Sequence, residues 1–377
     1  MIKQQILIAG EKYERLDEYL MENHVRRIFL VCSSSFSLLR ISKYFYNLLQ
    51  RTGIEVTKFT DFKPNPLYDS VLEGVKLYHK SESDLIIAIG GGSAMDIAKC
   101  IKLYSNMNAN RNYLTQIIVP NKVKLLAVPT TAGSGSEATK YAVIYHNGEK
   151  QSISDDSCIP SAVLMDASVL TTLPIYQKKS TMMDALCHAI ESFWSVNSSV
   201  ESKRYSREAI CMIMSNKELY LDNNETGNMN MLKAAYLAGK AINITQTTAG
   251  HAMCYKLTGL YGIAHGHAVA LCISKLWPFM VANQDRCIDA RGRKYLSRLF
   301  DEIAAAMGCR NAVDAAYSFQ VLFDSLELTI PDVRDNAEYD SLKKSVNPMR
   351  LKNHPIQLDE NTINELYHQI FSRRNKR

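Results

Sequence analysis

Asp184 and His188 stand at i and i+4 in DALCH, within a strongly helical stretch, so both side chains fall on one face. Further on, TTAGHAMCYKLTGLYGIAHGHAVAL (247–271) carries His251, His265 and His267, three of the chain's nine histidines inside seventeen residues. A carboxylate and an imidazole one turn apart make half a site for a divalent ion, and this glycine-spaced segment supplies the other half. His251 is expected to close one helical run and His265 to begin the next. One aspartate with three histidines is a borderline-hard donor set suited to Fe(II), Zn(II), Mn(II) or Co(II). Alone, the Asp184–His188 pair reads better as an ordinary helix-surface or capping pair. The metal reading therefore depends on the two halves meeting.

A second chemistry sits upstream. IAIGGGSAMDIAK (87–99) reads as a strand, three glycines, and a helix beginning at Ser93 or Ala94. Glycines at 90–92 remove the Cβ atoms that would keep a ligand off the backbone, and the helix's first-turn amides favour a pyrophosphate. The spacing is not GxGxxG. VPTTAGSGSEAT (128–139) follows another expected strand and offers the hydroxyls of Thr130, Thr131, Ser134 and Ser136 on an open backbone. Two such loops at strand carboxyl ends point to a dinucleotide.

These residues need elements to position them. RRIFLVC, IEVTKFTDF, DLIIAIG and VKLLAVP read as strands. They alternate with helical patterns such as FSLLRISKYFYNLLQRTG, stopped by Gly53, and SVLEGVKLYHKSES. Continuous apolar strands separated by helices imply a parallel, doubly wound sheet. Beyond Leu173-Pro174 long helical periodicities take over. The expectation is an α/β dinucleotide-binding domain over 1–175 and an all-helical metal-binding and substrate domain over 176–377.

Bulk properties narrow the class. The formal charge of +6 is spread without blocks, which disfavours nucleic acid and suits a small anionic substrate. Nine cysteines without a CxxC pair suggest reduced thiols in a cytoplasmic protein. The first residues carry no signal-peptide pattern, and no apolar run approaches a membrane span.

GGGSAMDIAK, PTTAGSGSEAT, DALCHAIE and the His251/His265 pair, in this order, resemble the iron-dependent (group III) alcohol dehydrogenase family. The resemblance implies Fe(II), or Zn(II) or another divalent ion, on Asp184, His188, His251 and His265. It also implies NADH or NADPH on Gly91, Gly92, Ser93, Asp96, Thr130, Thr131, Ser134, Ser136 and Lys150, and an oligomer such as a homodimer. His267 has no ligand role in the family and is a candidate cleft residue. Tyr255 stands where the family often has a proton-relaying histidine, and Ser33 where many NAD users carry an aspartate. Losing that carboxylate removes a repulsion against a 2′-phosphate, so NADPH is the weak preference.

YAVIYHNGEKQS, SFWSVNSS, AGKAINITQTTAGHA and VNPMRLKNHP resemble the phosphonoacetaldehyde-reducing branch of that family, which makes 2-hydroxyethylphosphonate in phosphonate biosynthesis. A phosphonate needs hydroxyls, amides and cations, for which Ser195, Asn197, Ser198, Arg204 and Lys240 are candidates. A reductase of plain short-chain aldehydes and a dehydroquinate-synthase-like lyase are the alternatives.

Overall fold

The structure, a computed structural model, describes residues 4–372. One unit runs to Leu173 and takes in Asn223–Leu232; the other comprises Pro174–Asp222 and the chain from Lys233 onward.

The first unit contains strands β1 (Gln5–Ile8), β2 (Arg27–Cys32), β3 (Glu55–Phe59), β4 (Leu85–Gly90), β5 (Lys124–Pro129), β6 (Tyr141–His146), β7 (Glu149–Ser154) and β8 (Ala162–Met165). Six of them make a parallel sheet in the order β1-β8-β5-β4-β2-β3. Helices α1 (Glu14–Glu22), α2 (Arg40–Tyr46), α3 (Leu48–Thr52), α4 (Tyr68–Ser81) and α5 (Gly92–Tyr104) punctuate it. Every residue of β4, LIIAIG, is buried, as expected for a strand covered on both faces. Cys32 lies level with Ile89, and Gly90 with Pro129. Ser33, Gly91 and Thr130 therefore leave neighbouring strands side by side at the sheet's carboxyl edge, where doubly wound sheets bind ligands.

Three local features depart from the expectation. The run FSLLRISKYFYNLLQRTG is not one helix: a 3-10 turn over Ser34–Leu38 precedes α2, and α3 follows after Asn47. Leu39 is extended at the break, although Gly53 does end the run in the left-handed region at φ 76°. β6 and β7 form an antiparallel hairpin whose turn residues Asn147 and Gly148 both have positive φ, the geometry Asn-Gly favours. The helix after the glycines starts at Gly92, one residue before the expected Ser93.

The second unit holds α6 (Ile175–Trp194), α7 (Val200–Leu221), most of α8 (Glu225–Thr245), α9 (Ala249–Tyr261), α10 (His265–Ala282), α11 (Arg293–Ala306), α12 (Ala312–Ser325), α13 (Asn336–Lys344), α14 (Pro348–Leu351) and α15 (Glu360–Phe371). Its centre is α6, buried continuously from Met182 to Trp194, with α7, α10 and α11 packed on it. Trp194 meets Trp277 and Phe300 edge-on at 5.7 and 6.3 Å, anchoring α6 to α10 and α11. No helix among the described residues is long and apolar enough to cross a membrane.

Candidate active site

One face of α6 presents Asp184, His188 and Glu191, spaced i, i+4 and i+7. Two glycines bring other helices close against that face. A Cβ on Gly266 would fall 2.0 Å from the Ser180 carbonyl oxygen and 2.7 Å from Asp184 Cβ. A Cβ on Gly250 would fall 2.7 Å from Ile273 and 3.0 Å from Glu191 Oε1. His265, before Gly266, opens α10; His251, after Gly250, is the third residue of α9. The expectation that His251 closes a helix is thus corrected. The preceding helix α8 ends at Thr245, because Gln246 adopts a left-handed φ of 59° and lets α9 restart at Ala249.

Asp184, His188 and His251 gather, and His265 joins them through Asp184. Ligand atoms of Asp184, His188 and His251 lie within 4.8 Å of one another. The Nε2 atoms of His251 and His265 are each 3.8 Å from Asp184 Oδ1. Donors bound to one ion at about 2.1 Å lie at most about 4.2 Å apart, so the two 3.8 Å separations admit a shared cation as they stand, and the 4.8 Å bound on the group is reached by shifts of a few tenths of an ångström. Asp184 Oδ1 and His251 Nε2 are buried without a hydrogen-bond partner. Orphaned polar atoms facing each other in a buried site fit a metal that takes their lone pairs.

Electrostatics agrees. Burial pushes the Asp184 carboxyl up, but His188, His265 and His251 outweigh it and hold it well below the usual carboxylate range. Burial likewise raises Glu191, and His251 and Thr248 more than offset this. Burial opposes a proton on His251, yet Glu191 and Asp184 raise the imidazole to about 9. Two buried carboxylates held ionised demand positive charge, which a proton or a metal ion can supply.

Glu191 was not singled out from the sequence, and it shapes the centre. Fully buried, its carboxylate accepts from His251 Nδ1, from the Thr248 hydroxyl at 2.5 Å and from the Gly250 amide at 2.8 Å. Trp194 Nε1 donates to Thr248 Oγ1 at 3.0 Å, extending the chain of bonds. With Nδ1 committed as donor, Nε2 of His251 is left as the lone-pair nitrogen beside Asp184. The available signal was its place seven residues after Asp184, on the same helical face.

In the first unit the two polar loops lace together. Thr130 N donates to the Gly90 carbonyl at 3.0 Å, and a Cβ on Gly91 would meet Thr131 Oγ1 at 3.1 Å and Cγ2 at 3.2 Å. Ser134 sits beside Gly92 in the same manner. Ser136 Oγ donates to Asp96 at 3.4 Å, and Lys99 secures the loop's far side through the carbonyls of Ser136, Thr139 and Tyr141 at 2.7 to 2.8 Å. Burial raises Asp96 to about 6 against the pull of Lys99, with Lys150 also contributing. Ser93 lies in the first turn of α5, where its backbone faces the anion-favouring helix end. Ser33 precedes the turn after β2, and its hydroxyl bonds that of Ser35 at 2.9 Å. All the sequence-predicted cofactor residues therefore belong to this one unit.

The remaining candidates separate. Tyr255 stacks on His265 at 5.8 Å and 16°, placing it at the metal centre. Burial raises its phenol well above the ordinary value, so it stays protonated. His267 turns away: its Nδ1 meets the Tyr176 hydroxyl at 3.1 Å and its ring faces Phe323. Two residues along a helix are about 200° apart, so His265 and His267 cannot face the same ion. Burial lowers His267 to about 4, which leaves it neutral.

The five proposed phosphonate contacts do not form one cluster. Ser195 and Ser198 give their carbonyls to Arg291, and Ser198 its hydroxyl too. Asn197 bonds Asn353 Oδ1 at 2.9 Å. Arg204 is mostly exposed on α7 near Glu208, and Lys240 lies over the Tyr205 ring at 4.3 Å. Arg204, also over the Tyr205 ring at 4.7 Å, and Lys240 are thus both held against one tyrosine of α7.

Residues 4–167 match the family model "iron-containing alcohol dehydrogenase", and residues 178–371 match that for the C-terminal part of the same family. The chain belongs to the iron-containing alcohol dehydrogenase family. Its enzymes are oxidoreductases, and the parallel sheet followed by a helical unit is the fold of solved members. A sulfoacetaldehyde reductase from Bifidobacterium kashiwanohense, solved with NAD+, superposes with a TM-score of 0.86 at 24% identity, covering 99% of this chain and 98% of that one. The Thermococcus thioreducens iron-containing alcohol dehydrogenase gives 0.87 at 21%, covering 98% and 99%. In sequence, the phosphonoacetaldehyde reductase of Streptomyces viridochromogenes is 29% identical over 79% of each chain. A 1,3-propanediol dehydrogenase of Klebsiella pneumoniae is 31% identical over 64% of each.

Proposed function

We propose that this iron-containing alcohol dehydrogenase reduces phosphonoacetaldehyde to 2-hydroxyethylphosphonate with NADPH or NADH, using a divalent ion on Asp184, His188, His251 and His265. The observation that carries the metal is the convergence of these side chains around the orphaned Asp184 Oδ1 and His251 Nε2. When bound, the ion supplies Lewis acidity toward a carbonyl oxygen, and the reduced nicotinamide supplies hydride. The chain's own residues do the rest. Glu191 fixes the tautomer of His251, Tyr255 offers a protonated phenol beside His265, and the Gly91–Ser93 turn with Thr130, Thr131 and Ser136 cradles the pyrophosphate.

The substrate is supported by the similarity to the Streptomyces phosphonoacetaldehyde reductase over most of both chains. For the cofactor, Ser33 puts a hydroxyl and no carboxylate at the end of β2, and Lys58 of β3 lays its ammonium over the Phe36 ring, in the turn that Ser33 opens, at 5.0 Å. A cation and a hydroxyl at the end of β2 suit a 2′-phosphate. A general short-chain aldehyde reductase is the second reading, favoured by the 1,3-propanediol dehydrogenase relative. The lyase alternative is set aside with the family assignment.

The test is to prepare the protein anaerobically with Fe(II) and follow NADH and NADPH oxidation with phosphonoacetaldehyde and with acetaldehyde. The reading expects kcat/KM to favour the phosphonate by about 100-fold, the scale of a charge-assisted contact. Equal values for the two aldehydes would overturn the phosphonate claim.

A further inference from the structure

We propose that Arg350 recognises the anionic head of the substrate as a tetrahedral oxyanion, in the company of Gln246 and Asn353. This rests on the reading of the enzyme as a reductase of an anionic aldehyde. It assigns the charge recognition to a residue outside the five considered from the sequence.

Position comes first. Arg350 lies on α14, which packs against α9, the helix that carries His251 and Tyr255. Tyr255 in turn stacks on His265. The turn that receives the Arg350 hydrogen bond at Gln246 leads directly into Thr248, which bonds Glu191, and then into His251. The guanidinium and the metal centre thus meet opposite ends of one short segment.

Charge comes second. Arg286, Arg291 and Arg334 are paired with Asp359, Asp289 and Glu338. Among the described residues no ion pair engages Arg350, which is partly exposed. Its guanidinium makes a hydrogen bond to the neutral Gln246 Oε1 at 3.4 Å, the long edge of the range. A fork of five donors is left largely unspent and its charge uncompensated, which suits bidentate binding of an oxyanion.

The amides around it are held in place. Gln246 keeps its left-handed φ of 59° just beyond α8, a conformation that costs a non-glycine residue energy and persists only when its surroundings fix it. Its Oε1 also accepts from Asn353 Nδ2 at 3.3 Å, while Asn353 bonds the Thr247 carbonyl and Asn197. The strained turn ahead of α9, which carries His251, therefore also presents the amide to Arg350. Asn197, proposed from sequence, acts one step back, by holding Asn353.

The experiment compares wild type with Arg350→Met, which keeps the stem, and Arg350→Lys, which keeps the charge. Each is loaded with Fe(II) and assayed on phosphonoacetaldehyde, sulfoacetaldehyde and acetaldehyde. The expected result is an about 100-fold fall in the ratio of kcat/KM for phosphonoacetaldehyde to that for acetaldehyde in Arg350→Met, expressed mainly in KM, with partial recovery in Arg350→Lys. A larger fall for the phosphonate than for the sulfonate identifies the dianion as the natural head. An equal fall for both keeps the oxyanion proposal and leaves the head group general. An unchanged ratio overturns the role of Arg350 while a wild-type preference for the phosphonate still stands. No preference in the wild type overturns the underlying reading instead. Should Arg350→Met fail to fold, phenylglyoxal labelling of wild type decides: methylphosphonate is expected to protect Arg350, and undiminished labelling overturns the proposal.

Discussion

Replacing Glu191 by glutamine exchanges one carboxylate oxygen for an amide nitrogen and leaves the side chain's size alone. The oxygen that remains can keep the Gly250 amide and the Thr248 hydroxyl, bonded at 2.8 and 2.5 Å in the native chain. The new N–H2 group faces His251 Nδ1, which now carries a proton of its own. The imidazole must move that proton to Nε2, the atom 3.8 Å from Asp184 Oδ1, or leave two donors opposed. In the first case the ring cannot ligate; in the second it loses its anchor. A hydrogen bond to a charged group contributes about 1.5–3 kcal/mol, and loss of such an outer partner weakens metal binding by about 10–100-fold. The two estimates agree, since 1.4 kcal/mol is about tenfold. The assay is an anaerobic Fe(II) titration against a chromogenic chelator, with the melting temperature of the metal-free protein as a control for folding. An Fe(II) dissociation constant within about twofold of wild type, in a protein that still folds, would refute the tautomer argument.

Other consequences concern the first unit. Gly91→Ala puts a methyl 3.1 Å from Thr131 Oγ1, so the cofactor KM is expected to rise about 10-fold with a smaller change in kcat, read from NADH saturation curves. Lys99→Met strips the donors from three buried carbonyls, and the protein should lose about 3 kcal/mol in urea denaturation; a loss below about 1 kcal/mol would deny Lys99 its pinning role. Burial raises the Glu137 carboxyl from 4.5 to about 7. The unfolded chain therefore releases this proton first, and stability falls between pH 4.5 and about 7, then levels off. Denaturation of Glu137→Gln across that window should show the slope reduced, by about 3 kcal/mol in total; an identical slope would contradict the assignment.

What the sequence made legible has a physical pattern. The buried strands of the sheet announce themselves because a strand covered on both faces has to be apolar throughout, as LIIAIG is. Asp184 and His188 were readable because helical spacing alone puts them on one face. Where position depends on a partner distant in the chain, sequence was silent. Glu191 gains its meaning from Thr248, Gly250 and His251, some sixty residues away. In the hairpin, β7 (EKQSIS) is polar and mostly exposed and carries no apolar run of its own, so the pairing with β6 is signalled by the Asn147-Gly148 turn. The break at Gln246 has no glycine or proline to mark it, so His251 looked like the end of a helix. Cations were the least legible: a lysine or arginine reveals nothing of what it faces, and Arg204 and Lys240 face solvent or tyrosine rings while Arg350 faces an amide.

The central claim is that a divalent ion on Asp184, His188, His251 and His265 is required for the reaction. The direct measurement is aldehyde-dependent NADPH or NADH oxidation by protein stripped with a strong chelator under argon, before and after stoichiometric Fe(II). The account predicts loss of activity on stripping, recovery on adding Fe(II), and no recovery in Asp184→Ala. Full activity in the metal-free protein would contradict it.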